Sequence, residues 1–155
     1  MDKIKIIQEE TKELLKKLID KFEVEVKEEK DVFHILIKAE EEAPTVIGRH
    51  GETIRALQKI FEVIFYKKFG QPINILVNVN DYREKQRQRL EDLAVQYAQK
   101  TQTSKEASFI RGLSSYERKV IHEYITKNYP DLTTYSVGEG RERQLVINFK
   151  GEGWK

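Results

Sequence analysis

The chain has 155 residues, of which 39% are hydrophobic, so it can bury one ordinary hydrophobic core or two small ones. Its 28 Lys and Arg residues are nearly balanced by 26 Asp and Glu residues, and a net charge of +2 does not by itself indicate a polyanionic ligand. The sequence contains no cysteine, which excludes disulfides, thiol nucleophiles and thiolate metal sites. The three histidines, His34, His50 and His122, are too scattered to indicate a metal cluster, so we expect neither a metal nor another cofactor.

Charge is unevenly distributed along the chain. Residues 1–42 carry 9 basic and 13 acidic side chains, a net charge of −4, whereas residues 43–155 carry 19 and 13, a net charge of +6. No apolar run approaches the roughly 18 residues that a membrane-spanning helix needs, and the N-terminus lacks the apolar segment of a signal peptide. We therefore expect a cytoplasmic protein without membrane insertion. The excess of basic side chains begins after residue 42.

The first 80 residues predict the element order α-β-β-α-α-β. Apolar residues recur at helical spacing over residues 4–22, and the alternating runs FEVEVKEE and DVFHILIKA predict two strands that join at residues 30–31. A short helical turn at residues 44–47 precedes a glycine loop, which is followed by a helix that ends at Gly70. The run INILVNVN predicts the last strand of this half.

The remaining sequence predicts the order α-β-α-β-β. Asp81 has the character of a helix N-cap, with Glu84 three residues on, and a helix with an apolar stripe follows. A short strand, ASFIR, leads to a second helix, whose start carries Ser114 and Glu117 at the spacing of a capping box. The runs TTYSV and RQLVINF then predict two strands that are separated by a turn at residues 138–140.

These element orders predict an α+β fold with two small domains, each with a three-stranded sheet packed by helices. The first domain is predicted to span residues 1–80 and the second residues 81–150, with residues 151–155 as a tail. No Gly- or Ser-rich spacer separates the two halves, so we expect the two domains to act together on one ligand.

The stretch TVIGRHGETIRALQKIF places Gly48 and Gly51 around Arg49 and His50, directly ahead of a helix. A nucleotide-hydrolase P-loop needs a Lys-Ser/Thr pair after its second glycine, and a dinucleotide fingerprint needs a third glycine; both are missing here. In its α-β-β-α-α-β frame the loop resembles that of a KH domain of the second topological type, where glycines allow close approach of a nucleic-acid backbone and helix N-termini favour phosphate. The alternative is a tight helix–helix turn without a ligand.

A second motif, Arg118 and His122, lies in the run SSYERKVIHEYI. A spacing of four places both side chains on one helix face, where they could present a guanidinium and an imidazole to one phosphate or one exposed base. On its own, such a pair is more often part of a solvated helix face. The surrounding element order, the run LSSYERKVIH and the hairpin SVGEGRERQLVI resemble the R-3-H domain, named after this Arg-x-x-x-His pair, which binds single-stranded nucleic acid.

A type II KH domain followed at once by an R-3-H domain resembles the Jag family of bacterial RNA-binding proteins. The matching runs, which cover most of residues 45–150, are IGRHGETIRALQ, NDYREKQRQRLEDLA, SSYERKVIH and GEGRERQLVI. The resemblance implies a non-enzymatic, cytoplasmic binder of single-stranded RNA in post-transcriptional regulation linked to cell envelope growth or division, with a separate small KH protein as a partner. Many members carry an additional N-terminal Jag domain, whereas this sequence begins at the KH helix, so the resemblance does not carry over the functions that depend on that domain.

The resemblance also implies which residues contact nucleic acid. The primary candidates are the loop residues Gly48, Arg49, His50 and Gly51 and the helix pair Arg118 and His122. Four arginines are secondary candidates: Arg83 and Arg87 in a basic run that is more often a solvated helix face, and Arg111 and Arg143 on predicted strands near the ends of the second domain. Single-stranded DNA is an alternative ligand, because neither motif contains a residue that must contact a 2′-hydroxyl.

Several apolar and aromatic residues have two interpretations. Ile47, Ile54 and Leu57 could line a groove for bases, but at this spacing such residues more often belong to the core. Tyr116 and Tyr124 could stack on bases, but core packing is the commoner role.

Two other classes of function remain open. The chain could be an interaction or dimerisation module that uses its acidic N-terminal helix and exposed KH surface, with RNA contact secondary. It could also be a phosphodiesterase with His122 as the acid/base and Arg118 holding the phosphate. No well-placed second base, nucleophile or metal set accompanies that pair, since the carboxylates at residues 40–42 resemble a solvated loop. We therefore expect a binding protein and not an enzyme.

Overall fold

The computed structural model describes residues 2–151. The chain divides into two compact units between Arg83 and Glu84, a point inside one long helix. Each unit has a three-stranded sheet with helices packed against it, which is the α+β class with two small domains that the sequence predicts. The domain boundary after residue 80 stays a prediction, and the predicted tail lies outside the described residues apart from Gly151.

The first unit follows the predicted order α-β-β-α-α-β. Its elements are α1 (Lys3–Leu15), β1 (Glu23–Glu29), β2 (Val32–Lys38), α2 (Ala43–Ile47), α3 (Glu52–Phe69) and β3 (Asn74–Val79). A single 3-10 turn, Arg49–Gly51, joins α2 to α3. The sheet order is β1-β2-β3, in which β1 is antiparallel and β3 is parallel to the central strand β2.

The core of the first unit lies between the sheet and the helices. Alternate residues of β2, including Ile35 and Ile37, are buried because side chains along a strand point to opposite faces. Helix α3 adds Ile54, Leu57 and Phe61 at helical spacing, so the core interpretation of Ile54 and Leu57 is confirmed. This packing fixes the start of α3, and with it the glycine loop, against the sheet.

Helix α1 ends at Leu15, earlier than the apolar spacing through Phe22 predicts. The N–H of Leu18 donates to the carbonyl of Leu15, three residues back, which tightens the chain into a turn. Leu18 is 46% exposed, whereas Ile19 is 4% exposed. Ile19 lies past the end of the helix but still packs in the core of the first unit, so the apolar spacing continues although the helix has ended.

The second unit follows the predicted order α-β-α-β-β. Its elements are α4 (Tyr82–Ser104), which begins in the first unit, β4 (Ser108–Ile110), α5 (Ser115–Asn128), β5 (Leu132–Val137) and β6 (Gln144–Phe149), with a 3-10 turn at Gly140–Glu142. The sheet order is β4-β6-β5 and both strand pairs are antiparallel. Buried residues of α4 and α5, such as Leu90 and Ile121, pack against buried strand residues such as Leu145.

The capping box at the start of α5 is confirmed. The hydroxyl of Ser114 accepts a hydrogen bond from the N–H of Glu117 at 3.2 Å, and the carboxylate of Glu117 accepts one from the N–H of Ser114 at 2.8 Å. The prediction that Arg111 and Arg143 lie on strands is wrong: β4 ends at Ile110 and β6 begins at Gln144. Each arginine is therefore one residue outside the hydrogen-bonded pairing of its neighbouring strand.

Within residues 2–151, no helix combines the length and the apolar composition that crossing a membrane requires.

Candidate nucleic-acid interface

The loop between α2 and α3 has a backbone geometry that only glycine adopts without strain. Gly48 has φ 74° and ψ 171°, and Gly51 has φ 75° and ψ 17°. A Cβ atom on Gly48 would lie 2.7 Å from the backbone nitrogen of Thr53, and one on Gly51 would lie 2.8 Å from the hydroxyl oxygen of Tyr82. Gly48 therefore excludes a larger side chain on conformational and on steric grounds, whereas a Cβ atom at Gly51 would require the Tyr82 side chain to shift.

Arg55 stabilises the middle of this loop. Its Nη1 donates a hydrogen bond to the carbonyl oxygen of His50 at 2.7 Å. His50 has φ 56°, a left-handed conformation that is uncommon for residues other than glycine. Sequence reasoning missed both Arg55 and Tyr82. The position of Arg55 in the first turn of α3 could have indicated a contact with the preceding loop. Nothing in the neighbouring sequence predicts that Tyr82 contacts Gly51.

The electrostatics of the loop favour an anion. Gly51 is the N-cap of α3, an 18-residue helix, and its lack of a side chain means that it cannot cap the first N–H groups of the helix. The positive end of the helix dipole adds to this attraction. Arg49 is exposed and His50 is half-buried, while Glu52, the acidic residue of the first turn, is exposed and opposes the effect. The loop thus places one exposed cation at the positive end of the α3 dipole.

The Arg-x-x-x-His pair lies in an open pocket between α5 and β5, here called the R-H pocket. It is lined by Ser115, Arg118, Lys119, His122, Thr134, Tyr135, Ser136, Arg143 and Leu145. His122 Nδ1 is hydrogen-bonded to the hydroxyl of Thr134, whose side chain is buried in β5. This bond leaves Nε2 of the exposed His122 ring as the other polar atom of the imidazole.

Arg118 is held against the first turn of its own helix. Its Nη1 donates to the carbonyl of Leu113 at 2.8 Å, and its Nη2 donates to the hydroxyl of Ser115 at 3.1 Å. A guanidinium has five N–H donors, so two bonds orient it and leave further donors for a ligand. The planar fork suits a phosphate, which accepts two parallel hydrogen bonds.

A buried carboxylate supports the start of α5. Glu117 is 2% exposed, and its Oε2 accepts a hydrogen bond from Gln86 at 3.0 Å and lies 3.5 Å from Nη2 of Arg89. The sequence predicts Glu117 as a capping residue, but the contacts from α4 depend on tertiary packing. Glu117 precedes Arg118 directly, so these contacts fix the backbone from which Arg118 projects.

The secondary candidates separate into two groups. Arg143 lines the R-H pocket with the Arg-x-x-x-His pair, and its Nη1 donates to the carbonyl of Gly138 at 2.7 Å. The other three do not line this pocket. Nε of Arg83 donates to the carbonyl of Val77, Nε of Arg87 contacts Glu91 at 3.2 Å, and Arg111 is exposed beyond β4.

The two tyrosines on α5 also differ. Tyr124 is half-buried against the core, in agreement with the core interpretation, whereas Tyr116 is 43% exposed.

As for metal binding, no three His, Asp or Glu side chains of residues 2–151 come close enough together to hold an ion.

Comparison with known protein families assigns a domain to each unit. The family model described as "KhpA/KhpB, KH domain" matches residues 8–77, and the family model of the R-3-H domain matches residues 85–149. The first match contains the glycine loop and the second contains the R-H pocket.

Three relatives are each named RNA-binding protein KhpB. The protein of Bacillus subtilis (strain 168) is 33% identical over 132 residues, which are 84% of this chain and 62% of the relative. The protein of Lactiplantibacillus plantarum is 33% identical over 102 residues, or 66% of this chain and 31% of the relative. The protein of Clostridium symbiosum is 30% identical over 107 residues, or 69% of this chain and 48% of the relative. The chain thus spans less than two thirds of the length of each relative.

Proposed function

We propose that this chain, which belongs to the Jag family with a KH domain followed by an R-3-H domain, binds single-stranded RNA. The observation that carries this function is the geometry of the G-x-x-G loop: two glycines with positive φ, the first without room for a Cβ atom, flank the exposed Arg49 and the half-buried His50 at the start of α3. Such a loop admits a nucleic-acid backbone closely and offers it a cation and the positive end of a helix dipole. The names of the relatives support RNA as the ligand.

The R-3-H domain supplies the second contact in this proposal. Arg118, His122 and Arg143 converge on one pocket, in which hydrogen bonds from the protein orient the guanidinium of Arg118 and the imidazole of His122. Charge-assisted hydrogen bonds to a phosphate are about twice as strong as neutral ones. Gly48, Arg49, His50 and Gly51 would hold one part of the strand, and the R-H pocket another. Arg83, Arg87 and Arg111 remain secondary candidates for contact with the backbone.

Replacement of Arg49 and His50 by Asp tests the loop. Two carboxylates beside phosphates should weaken binding of single-stranded RNA by about tenfold or more, or about 1.4 kcal/mol, without unfolding the protein. A control is Lys16→Asp with Lys17→Asp, which reverses two exposed charges after α1 and changes the net charge by −4, against −3 for the loop variant with His50 neutral. Fluorescence anisotropy titrations of the two double variants separate a local contact from the effect of net charge. Equal affinities of the loop variant and the wild type would exclude the loop as the binding site.

The cellular role follows from the family resemblance alone. We propose that RNA binding serves post-transcriptional regulation linked to cell envelope growth or division, in the cytoplasm, and that a separate small KH protein is a partner. Crosslinking with sequencing of bound RNA from cells is expected to enrich messages for envelope proteins. A set of bound RNAs without that enrichment would contradict this role while leaving RNA binding itself intact.

A second candidate function is protein association through the KH domain. Helix α3 exposes an apolar stripe in which Ile60 is 45%, Val63 is 64% and Tyr66 is 55% exposed. An exposed apolar stripe of this kind is typical of interaction surfaces. Measurement of the mass in solution with and without RNA, for wild type and Val63→Glu, distinguishes this function. A monomeric wild type under both conditions would contradict self-association.

A further inference from the structure

In the sheet of the R-3-H domain, the residues of the buried core cluster lie on one face. The core of this domain contains Ile110, Leu145 and Ile147, which face α4 and α5. Because side chains alternate along a strand, the neighbours Phe109 and Val146 point to the opposite face. Neither belongs to the core cluster that the helices cover.

Three side chains form a row across this opposite face. Phe109 of β4 is paired with Val146 of β6, and Val146 is paired with Tyr135 of β5, so Phe109, Val146 and Tyr135 lie side by side. We call these three residues the aromatic row. Neighbouring strands are about 4.8 Å apart, so the two aromatic residues are anchored roughly 10 Å from each other. Phe109 is 54% exposed and Tyr135 is half-buried, while Val146 between them is 1% exposed.

One end of the aromatic row meets the R-H pocket. Tyr135 lines that pocket together with Arg118, His122 and Arg143. Tyr135 lies on the edge strand β5, so it belongs both to the lining of the R-H pocket and to the aromatic row on the opposite face. At the other end, Arg111 is exposed and follows β4 directly, two residues after Phe109. An apolar protein partner has no need for this cationic border. A nucleic-acid strand has phosphates that contact cations and bases that stack on aromatic rings.

We propose that the aromatic row is a base-stacking platform for single-stranded RNA whose phosphates are held in the R-H pocket, a site that rests on the proposed RNA-binding function. Phe109 and Tyr135 stack on bases, and the buried Val146 packs between them. Aromatic side chains on an open sheet face bind bases in the same physical way in other RNA-binding modules, because every base has a π face. The row gives this domain a contact to bases in addition to its contact to the backbone.

Substitutions that keep an apolar side chain and remove the aromatic ring test the platform. In the full chain, Phe109→Leu and Tyr135→Leu should each weaken binding of a ten-nucleotide single-stranded RNA by roughly fivefold, because a stacked base contributes this much or more. Phe109→Trp, which keeps a ring, should bind as tightly as the wild type or more tightly. Circular dichroism and thermal unfolding establish that each variant is folded. A Leu variant that binds like the wild type would overturn the platform.

An RNA with two central abasic sites provides a second measurement. The wild type should bind the abasic strand more weakly than the intact strand, and the Leu variants should lose this preference, since the rings then have no bases to contact. Arg118→Ala should weaken binding of both strands alike. In addition, 2-aminopurine in the intact RNA should be quenched by the wild type and less by Phe109→Leu.

The outcomes separate the platform from RNA binding as such. If the wild type binds neither strand, the proposed function and the platform both fail. If the wild type binds both strands equally and the Leu variants do the same, RNA binding stands and the platform is overturned. If Phe109→Leu changes only the mass of the protein in solution, the row is a protein interface and the platform is likewise overturned.

Discussion

Gly48 is the single residue on which the conformation of the G-x-x-G loop depends most. Its φ of 74° and ψ of 171° belong to a region that is almost restricted to glycine, and the backbone of Thr53 occupies the space of a Cβ atom. Because Arg49 follows directly, any relaxation of Gly48 also moves the cation that the loop presents. The affinity for RNA should therefore be sensitive to a change as small as one methyl group.

Gly48→Ala should lower the stability of the KH domain by about 1–3 kcal/mol and weaken RNA binding by fivefold or more. Gly70→Ala is the matched control, because Gly70 also has a positive φ, of 71°, but no atom lies within 4 Å of the position that a Cβ atom would take there. The control should lose about 1–2 kcal/mol of stability and keep the wild-type affinity for RNA. Urea unfolding and anisotropy titration give both quantities. Equal loss of affinity in the two variants would show that stability alone controls binding.

Thr134 has a comparable role in the R-H pocket, where it positions a functional side chain without itself carrying charge. Thr134→Val removes the hydroxyl that bonds His122 Nδ1 but keeps the shape of the side chain. We expect RNA affinity to fall several-fold, as a lost hydrogen bond of about 0.5–1.5 kcal/mol implies, while Thr134→Ser retains the wild-type affinity. NMR spectra of the His122 ring report the change directly. Identical ring signals in wild type and Thr134→Val would contradict the positioning role.

Helix α5 shows how one element combines its own stability with the presentation of a site. Its capping box fixes the first turn, and the acceptors for Arg118 lie at this end of the helix, on Leu113 just before the cap and on Ser115. The helix then places His122 one turn further along, beside β5. Fraying of the first turn should consequently release Arg118 before it affects His122.

Ser114→Ala should destabilise the R-3-H domain by about 1 kcal/mol, because the first N–H groups of the helix lose their side-chain acceptor. Glu123→Ala, at an exposed position of the same helix, should change stability by less than about 0.5 kcal/mol. Hydrogen exchange of amides in the first turn of α5, together with thermal unfolding, checks both values. If the two variants had equal stability, the cap would contribute nothing to the domain.

The molecule as a whole carries two candidate contacts to RNA on one continuous chain. The division between the units, at Arg83 and Glu84, falls inside α4, so no separate linker segment intervenes. A tether of this kind makes the second contact intramolecular, with an effective concentration near millimolar where the strand can reach both sites. Affinity should therefore increase with the length of the RNA.

Arg118→Ala combined with His122→Ala should cost little affinity on a four-nucleotide RNA and at least several-fold on an RNA of about ten or more nucleotides, since a KH groove takes about four nucleotides. The double variant removes charge-assisted contacts that only nucleotides beyond the KH groove can make. Titration of both RNA lengths against wild type and variant measures this difference. Equal losses at both lengths would refute joint binding by the two domains.

The sequence by itself determined the order of the elements, the capping box of α5 and the two motifs. These features depend on neighbours within a few residues: the alternation along β2, the spacing of Ile54, Leu57 and Phe61 in α3, and the pair of Ser114 and Glu117. The apolar spacing was misleading in one place, because periodicity alone does not show that α1 ends at Leu15.

Only the tertiary structure decided which distant residues meet. Tyr82 contacts Gly51, and Thr134 contacts His122. The pairing of Phe109, Val146 and Tyr135 depends on strand register, which no local pattern specifies. The physical reason is that side-chain chemistry and spacing act along the chain, whereas a site forms from groups that the folded core holds close together in space.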